Sequence, residues 1–153
     1  WLNQTTVDTM PNETMVRFGY PETLIREYEH WTVQLRVNQV TLGSLILSAK
    51  AGVTAFSELP DAAFAEQALA VRDIERVLTE LTGYSKINYL MLMMIDPNVH
   101  YHVFPRYEGE RAFDGISIAD AGWPGPPALP SATTLSDADA LRLTAHLRTS
   151  FDG

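Results

Sequence analysis

Apolar and polar residues alternate in the segment WTVQLRV, where Trp31, Val33, Leu35 and Val37 are separated by polar side chains. Because successive side chains of a strand point to opposite faces of a sheet, this period of two predicts a half-buried strand. The segments TLIREYE before it and SLILS after it also have the composition of strands. We therefore expect three consecutive strands in an antiparallel meander.

The period changes to three and four in residues 61–81, which follow Pro60 and precede Gly83. This spacing places apolar side chains on one face of an α-helix, and a proline before the first turn and a glycine after the last are typical helix ends. The pattern predicts one long helix, with the apolar positions Phe64, Ala68, Val71, Ile74, Leu78 and Leu81.

Two apolar segments, KINYLMLMMI and VHYHVFPRY, flank the turn-forming residues Asp96, Pro97 and Asn98. Apolar, β-rich segments separated by such residues predict a hairpin. The methionines at positions 91, 93 and 94 would then fill the core on a buried strand, in preference to forming an adaptable apolar surface for a nucleobase.

The pattern becomes irregular after residue 107. Residues 121–130 are rich in proline and glycine around Trp123 and predict an ordered loop, and Ser136 is the expected N-cap of a final helix. The elements together predict an α+β fold with a mostly antiparallel sheet of about five strands, one long helix and a C-terminal helix. We expect residues 1–153 to form one domain, with an irregular N-terminal arm (1–21), a core (22–107) and a C-terminal extension (108–153).

Composition narrows the possible partners. The chain has 153 residues and a formal net charge of −8, with 19 acidic and 11 basic residues. Since the basic residues form no run, we expect neither a nucleic acid nor a membrane partner. The absence of cysteine excludes disulfides, thiolate nucleophiles and thiolate zinc sites. No apolar segment is long enough to cross a bilayer, and a cytoplasmic location is expected by default.

The candidate chemistry lies in NVHYHVFPRY. On a strand, His100 and His102 would share one face, with Asn98 beside them if the strand already begins there. A neutral imidazole is a competent nucleophile toward an activated phosphate, and His100 is the candidate. His102, two residues later, could donate a hydrogen bond to phosphate oxygens.

The same spacing is compatible with other interpretations. A metal site would need a third ligand, which His30, Asp96 or Glu108 could supply only if the fold brought it close. An ordinary polar strand face is also possible. We rank catalysis above a metal site, and predict no metal and no cofactor.

The segment NVHYHVFPRY resembles the motif of the histidine triad (HIT-like) family, in which histidines alternate with hydrophobic residues and a Pro-Arg pair often follows. The order of predicted elements is also similar to that family, and the resemblance extends over residues 18–107. It implies that His100 attacks the α-phosphate of a nucleotide to form a nucleotidyl-histidine intermediate, and that His102 contacts phosphate. It further implies a homodimer.

Two departures from the family pattern affect the expected activity. Asn98 stands where the first histidine of the motif would be, and asparagine can form hydrogen bonds but cannot titrate. The Gly-Gln-Ser-like or Gly-Gln-Thr-like segment that precedes the motif in well-known branches is replaced by MLMMIDP. We expect altered or lowered activity on phosphoramidate or dinucleoside polyphosphate substrates.

Four further residues are candidates for substrate binding, each with a structural alternative. Asn88 resembles a family asparagine near the phosphate, or is a polar strand-end residue. Trp31 could stack on a purine, or lie in the core. Lys50 stands near the place of a family lysine, or is an exposed strand-end residue. Arg106 could contact a phosphate, although pairing with Glu108 or Glu110 at the surface is favoured.

The sequence therefore predicts a hydrolase or transferase that acts at the α-phosphate of a nucleoside phosphate derivative. The alternative is a catalytically weak nucleotide-binding or sensing module, because the first histidine of the motif is missing.

Overall fold

The structure, a computed structural model, describes residues 10–153, so the first part of the expected N-terminal arm lies outside the described residues. Its helices are α1 (Glu13–Arg17), α2 (Asp61–Thr82) and α3 (Asp137–Asp152). Its strands are β1 (Leu24–Glu27), β2 (Trp31–Leu35), β3 (Asn38–Gln39), β4 (Leu45–Ala49), β5 (Lys86–Leu90), β6 (His100–Arg106), β7 (Glu110–Phe113), β8 (Ile116–Ala119) and β9 (Thr133–Thr134). Short 3-10 turns span Phe56–Glu58 and Leu129–Ser131.

Five strands form one antiparallel sheet in the order β1-β2-β4-β6-β5. The strands β1, β2 and β4 are the expected meander, and β5 and β6 are the expected hairpin. The α+β fold predicted from the sequence, with a long helix and a C-terminal helix, is confirmed. No helix within residues 10–153 combines the length and the apolar run that a membrane span needs.

Helix α2 begins and ends where the sequence indicates. Pro60 is its N-cap residue and Gly83 its C-cap residue, with Gly83 in the left-handed conformation at a φ of 57°. The Gly83 N–H donates to the Thr79 carbonyl at 2.9 Å, which satisfies one of the last free carbonyls of the helix. The helix packs its apolar side, which includes Ile74 and Leu78, against the sheet.

The predicted C-terminal helix is also present. The Ser136 hydroxyl accepts a hydrogen bond from the Asp139 N–H at 3.1 Å, so the expected N-cap is formed. Leu143, Leu147 and Phe151 face the core from this helix.

Strand β2 is more deeply buried than its alternating pattern predicts. All five of its residues are buried, including the polar Thr32 and Gln34. The reason is that both faces of the sheet are covered. Trp31, Val33 and Leu35 face the core beneath α2, and the opposite face lies beneath α1.

The apolar segment after β5 is not a strand. Pairing ends at Leu90, which lies opposite His102, and residues 91–99 form a loop. Met94 and Ile95 in this loop are 86% and 79% exposed. This corrects the expectation that the methionines fill the core on a buried strand, although Met91 and Met93 do pack against the core.

The C-terminal extension contains a hairpin that the sequence analysis missed. Strands β7 and β8 are joined by Asp114 and Gly115, which have φ values of 45° and 84°. An Asp-Gly pair between alternating residues is a strong hairpin pattern, so the sequence did contain the signal.

Candidate functional site

The two histidines of β6 lie on the face of the sheet that is opposite α2. His100 pairs with Ser48 of β4, and His102 pairs with Ile46. The ring centroids of the histidines are 5.0 Å apart, and the residues are 2% and 8% exposed. The alternation along β6 thus brings both imidazoles into one buried layer.

Helix α1 covers this layer. It is held there by hydrogen bonds of its backbone and of its N-cap residue, Asn12. The Asn12 side chain accepts from the Met15 N–H at 3.0 Å and donates to the Ala49 carbonyl at 2.8 Å. From β2, the Gln34 amide donates to the Met15 carbonyl at 3.0 Å. The first turn of α1 is therefore attached to both β2 and the end of β4.

Phe18, the residue directly after α1, contacts both histidines. Its ring centroid lies 5.7 Å from that of His100 and 5.9 Å from that of His102. This part of the chain was expected to be an irregular arm, and the structure corrects that expectation. A helix of five residues is too short to show a period, but Asn12 followed by Glu13 is an N-cap pattern that could have indicated it.

Asn98 lies just before β6 and binds α1. Its side-chain oxygen accepts from the Thr14 N–H at 3.2 Å, and its own N–H donates to the Thr14 hydroxyl at 2.9 Å. The residue is buried. Its amide oxygen thus serves the first turn of α1, and the catalytic role expected for Asn98 stays a prediction.

The hydrogen bond of His100 identifies the protonated nitrogen of its neutral ring. Nδ1 lies 2.7 Å from the Asn98 carbonyl oxygen. Since a carbonyl can only accept, Nδ1 must carry the hydrogen. The lone pair of the neutral ring is then on Nε2, where a nucleophile needs it.

His102 has the opposite arrangement. Nε of Arg36 donates to its Nδ1 at 3.3 Å, and a guanidinium always donates. The neutral ring therefore carries its hydrogen on Nε2. Burial, together with the nearby charges of Arg36 and His100, lowers the pKa of His102 to about 4, so the ring is neutral at physiological pH.

Two adjoining cavities open beside these side chains. One, of about 210 Å³, is lined by both histidines, Phe18, Arg36 and residues 92–96. The other, of about 260 Å³, shares Phe18 and Arg36 with it and extends toward Arg17 and Asn38. Together they are of the size of small-molecule sites, ~300–1000 Å³. The exposed loop after β5 forms one rim of this space.

Arg106 does not pair with Glu108 or Glu110, as was expected, and it does not face the cavities. It is 3% exposed, and its Nε and Nη2 donate to the Asp120 carboxylate at 2.7 and 3.0 Å. Nη1 donates to the Asn88 side-chain oxygen at 2.7 Å. Arg106 is thus a buried structural residue, and Asn88 is held by it on the same face of the sheet as the histidines.

Trp31 and Lys50 are not placed to bind a ligand beside the histidines. Trp31 is fully buried on the α2 side of the sheet and donates to the Ala63 carbonyl at 2.7 Å, so no surface remains for stacking on a base. Lys50 pairs with Glu27 at 2.7 Å and also donates to the Tyr28 carbonyl at 3.1 Å. Both positions correct the expected substrate-binding roles.

The sequence analysis missed three residues of the site, namely Thr14, Phe18 and Arg36. They lie 64–86 positions before His100 in the chain, and only the packing of α1 and the end of β2 brings them there. No group of three or more histidine, aspartate or glutamate side chains within residues 10–153 is placed to hold a metal ion.

No protein-family model matches the chain, and no curated protein matches it either. Several solved structures match the chain. A histidine triad (HIT) protein of Sinorhizobium meliloti 1021 is 24% identical, with a TM-score of 0.71, 95% of this chain and 98% of that chain being covered. A hypothetical histidine triad nucleotide-binding protein of Sulfolobus tokodaii strain7 is 16% identical, with a TM-score of 0.69 and 91% and 89% covered.

A Zn-bound histidine triad family protein of Mycobacterium smegmatis is 19% identical, with a TM-score of 0.58, 90% of this chain and 89% of that chain being covered. At these identities the similarity establishes the fold. The chain therefore has the fold of the histidine triad proteins.

Proposed function

We propose that the chain binds a nucleoside phosphate derivative in the cavities beside β6 and cleaves it at the α-phosphate, with His100 as the nucleophile. The observation that supports this most directly is the pair of complementary imidazoles. His100 has its free lone pair on Nε2, and His102 has a hydrogen on Nε2 that it can donate.

The reaction divides into two displacements at phosphorus. His100 Nε2 attacks the α-phosphorus, the bond to the leaving group breaks, and the leaving group takes the electron pair and a proton from solvent. Water, or another acceptor, then attacks the nucleotidyl-histidine, the phosphorus–nitrogen bond breaks, and the nucleoside monophosphate or its transfer product is released. His102 donates its Nε2–H to the phosphate oxygens, on which negative charge builds in each step.

Charge near the histidines favours an anionic ligand. Arg36 lines both cavities and donates to His102. Arg17 lines the second cavity but is paired with Glu13 and Asp96, so the local positive charge comes from Arg36, in a chain whose formal net charge is −8. The presence of a nucleotide-binding protein among the solved structures of the same fold agrees with this choice of ligand.

A second candidate function is that of a weakly catalytic nucleotide-binding module. The observation that favours it is the use of Asn98 by α1. Asn98, which stands at the position of the first histidine of the motif, uses its side-chain oxygen to accept a hydrogen bond from the Thr14 N–H. The site would then bind the nucleotide with two imidazoles, and turnover would be slow.

The test is the release of nucleoside monophosphate from adenosine and guanosine phosphoramidates and from dinucleoside polyphosphates. We expect release by the unmodified chain, and loss of release with His100→Ala. His146→Ala is the matched control, because His146 is exposed on α3 and packs at a tilt against Phe113, away from the site. It should leave the rate unchanged.

Mass spectrometry of the quenched reaction separates the two functions. A mass increase of one nucleotidyl group that disappears with His100→Ala supports the enzyme. Binding of adenosine 5′-monophosphate without release or covalent adduct supports the binding module. If the chain neither binds nor cleaves any compound of the substrate panel, both proposed functions are contradicted.

We further propose the homodimer and the cytoplasmic location expected from the sequence. Strand β5 is at one edge of the five-stranded sheet, which leaves one side of it without a strand partner among residues 10–153. An unpaired edge is a surface on which a second copy can add its own strand. Light scattering at several protein concentrations would show twice the mass of one chain if the dimer forms.

A further inference from the structure

We propose that Arg36 is a positioning residue that holds His102 in the neutral form with its hydrogen on Nε2, so that this ring acts as a permanent hydrogen-bond donor in the site. The proposal rests on a contact between two side chains and not on the proposed reaction. Only its consequence for phosphate binding depends on the proposed function.

The contact itself is unusual for a histidine. Arg36 Nε donates to His102 Nδ1 at 3.3 Å. Imidazole Nδ1 atoms in functional sites more often donate to a carbonyl or a carboxylate, as His100 does to the Asn98 carbonyl. A cation in that place has the opposite effect, because Nδ1 can keep the contact only while it is unprotonated.

The guanidinium of Arg36 is held in place from several sides. Its Nη1 donates to the Asn38 carbonyl at 2.5 Å, and its central carbon lies 5.4 Å from the centre of the Phe104 ring. The Phe104 ring in turn stacks on His102, with an interplanar angle of 13°. A side chain fixed at three points can present Nε in one direction.

The backbone of Arg36 is equally constrained. Its N–H donates to the Ser44 carbonyl at 3.0 Å, and its carbonyl accepts from the Gln39 side-chain amide at 2.6 Å. The Gln39 side-chain oxygen accepts from the Gly43 N–H at 2.8 Å. These hydrogen bonds fix the backbone of the segment after β2. A fixed backbone is what Arg36 needs if it is to position His102.

The charged and titratable side chains around His102 act in the same direction or cancel. Arg36 approaches from the segment after β2, and His100 is its neighbour on β6. Asp96 lies across the cavity and is paired with Arg17 at 3.5 Å, so its negative charge is largely compensated. Burial of His102 is the largest cause of its lowered pKa, and the charge of Arg36 acts in the same direction.

Arg36, His102 and His100 would then have three different roles in the site. Arg36 supplies a fixed positive charge, since a guanidinium remains protonated at neutral pH. His102 supplies a hydrogen-bond donor that does not change with pH above about 5, and the nucleophile His100 keeps its lone pair on Nε2. Hydrogen-bond donation from His102 to a bound phosphate would thus be independent of pH above about 5.

The experiment is nitrogen-15 NMR of the histidine side chains in the full chain without ligand, as a function of pH. The unmodified chain should show His102 in the Nε2–H form at every pH above about 5. Arg36→Met, which removes both the hydrogen bond and the charge, should populate the other tautomer and raise the pKa of His102 by about one unit or more.

Two further variants keep the test decisive. Arg36→Gln retains a donor but not the charge, so it should raise the pKa while preserving more of the Nε2–H form, and it provides the measurement if Arg36→Met does not fold. Arg72→Gln, which removes an exposed arginine of α2, should change neither quantity. Unchanged tautomer and pKa of His102 in a folded Arg36 variant would overturn the proposal, whatever the substrate assays show.

Discussion

The ion pair between Arg106 and Asp120 should be a principal source of stability in the C-terminal part of the fold. The Asp120 carboxylate accepts four hydrogen bonds, from Arg106 Nε at 2.7 Å, Arg106 Nη2 at 3.0 Å, and the N–H groups of Tyr107 and Gly122 at 3.2 Å each. The side chains of the pair are 4% and 0% exposed. Through these contacts the pair joins β6 to the loop that contains Trp123.

The change Asp120→Ala would leave the buried guanidinium without a counter-charge. Removing one member of a buried pair costs ~3–5 kcal/mol, because the remaining charge is neither solvated nor compensated. Two backbone N–H groups would lose their acceptor as well, so the upper part of this range is expected. For a chain of this length such a loss lowers Tm by about 10 °C or more.

The assay is urea unfolding followed by far-UV circular dichroism and by tryptophan fluorescence. Asp152→Ala is the matched control, since it removes an aspartate whose partner, Arg26, lies at the same 3.0 Å but with side chains 75% and 39% exposed. Exposed pairs contribute about 0–1 kcal/mol. A loss for Asp120→Ala no larger than that for Asp152→Ala would refute the argument from burial.

Three smaller predictions follow from single positions. Gly43→Ala should cost more than ~1 kcal/mol in urea unfolding, because Gly43 has a φ of 89° and an added Cβ would lie 2.9 Å from a Leu78 methyl group; no loss would contradict this. Ser136→Ala removes the acceptor of the Asp139 N–H and should cost ~1 kcal/mol, whereas Ser136→Asp should restore it. His102 should make the fold acid-sensitive: its pKa is lowered to about 4 from an ordinary 6.5, so the unfolded chain binds the proton more tightly. Its contribution, about 3 kcal/mol, is fully present above pH 6.5 and lost as the pH falls toward 4, and His102→Gln should remove that part of the pH dependence of unfolding.

The elements with a regular pattern of apolar positions were predictable from the sequence. Helix α2 follows from its apolar spacing and from Pro60 and Gly83, and the shared face of His100 and His102 follows from alternation in β6. These patterns are local, because each depends only on neighbours in the chain. The face that they create is therefore visible before the structure is known.

The partners of individual side chains were not predictable in the same way. Arg106 was expected to pair with a glutamate two or four positions away, but its partner is Asp120, on the far side of a hairpin. Arg36 reaches His102 across 66 positions. Such contacts depend on sheet order and loop paths, which no local pattern specifies.

The loop after β5 is a third case, in which apolar composition did not predict the secondary structure. Apolar composition alone does not distinguish a buried strand from the exposed rim of a cavity, and Met94 and Ile95 are in the rim. The ladder ends at Leu90, opposite His102, although β6 itself extends to His100. The end of β5 is thus not determined by where its partner strand begins.

The hydrogen bonds between Thr14 and Asn98 join residues 84 positions apart, and this separation has a consequence for folding. During synthesis α1 leaves the ribosome long before the residues that hold it in place. Closing so long a segment of chain costs entropy that only the assembled sheet can offset. We therefore expect the covered histidine layer to be completed late in folding. A ligand that binds only when α1 is docked would bind only those molecules in which the whole sheet has already formed.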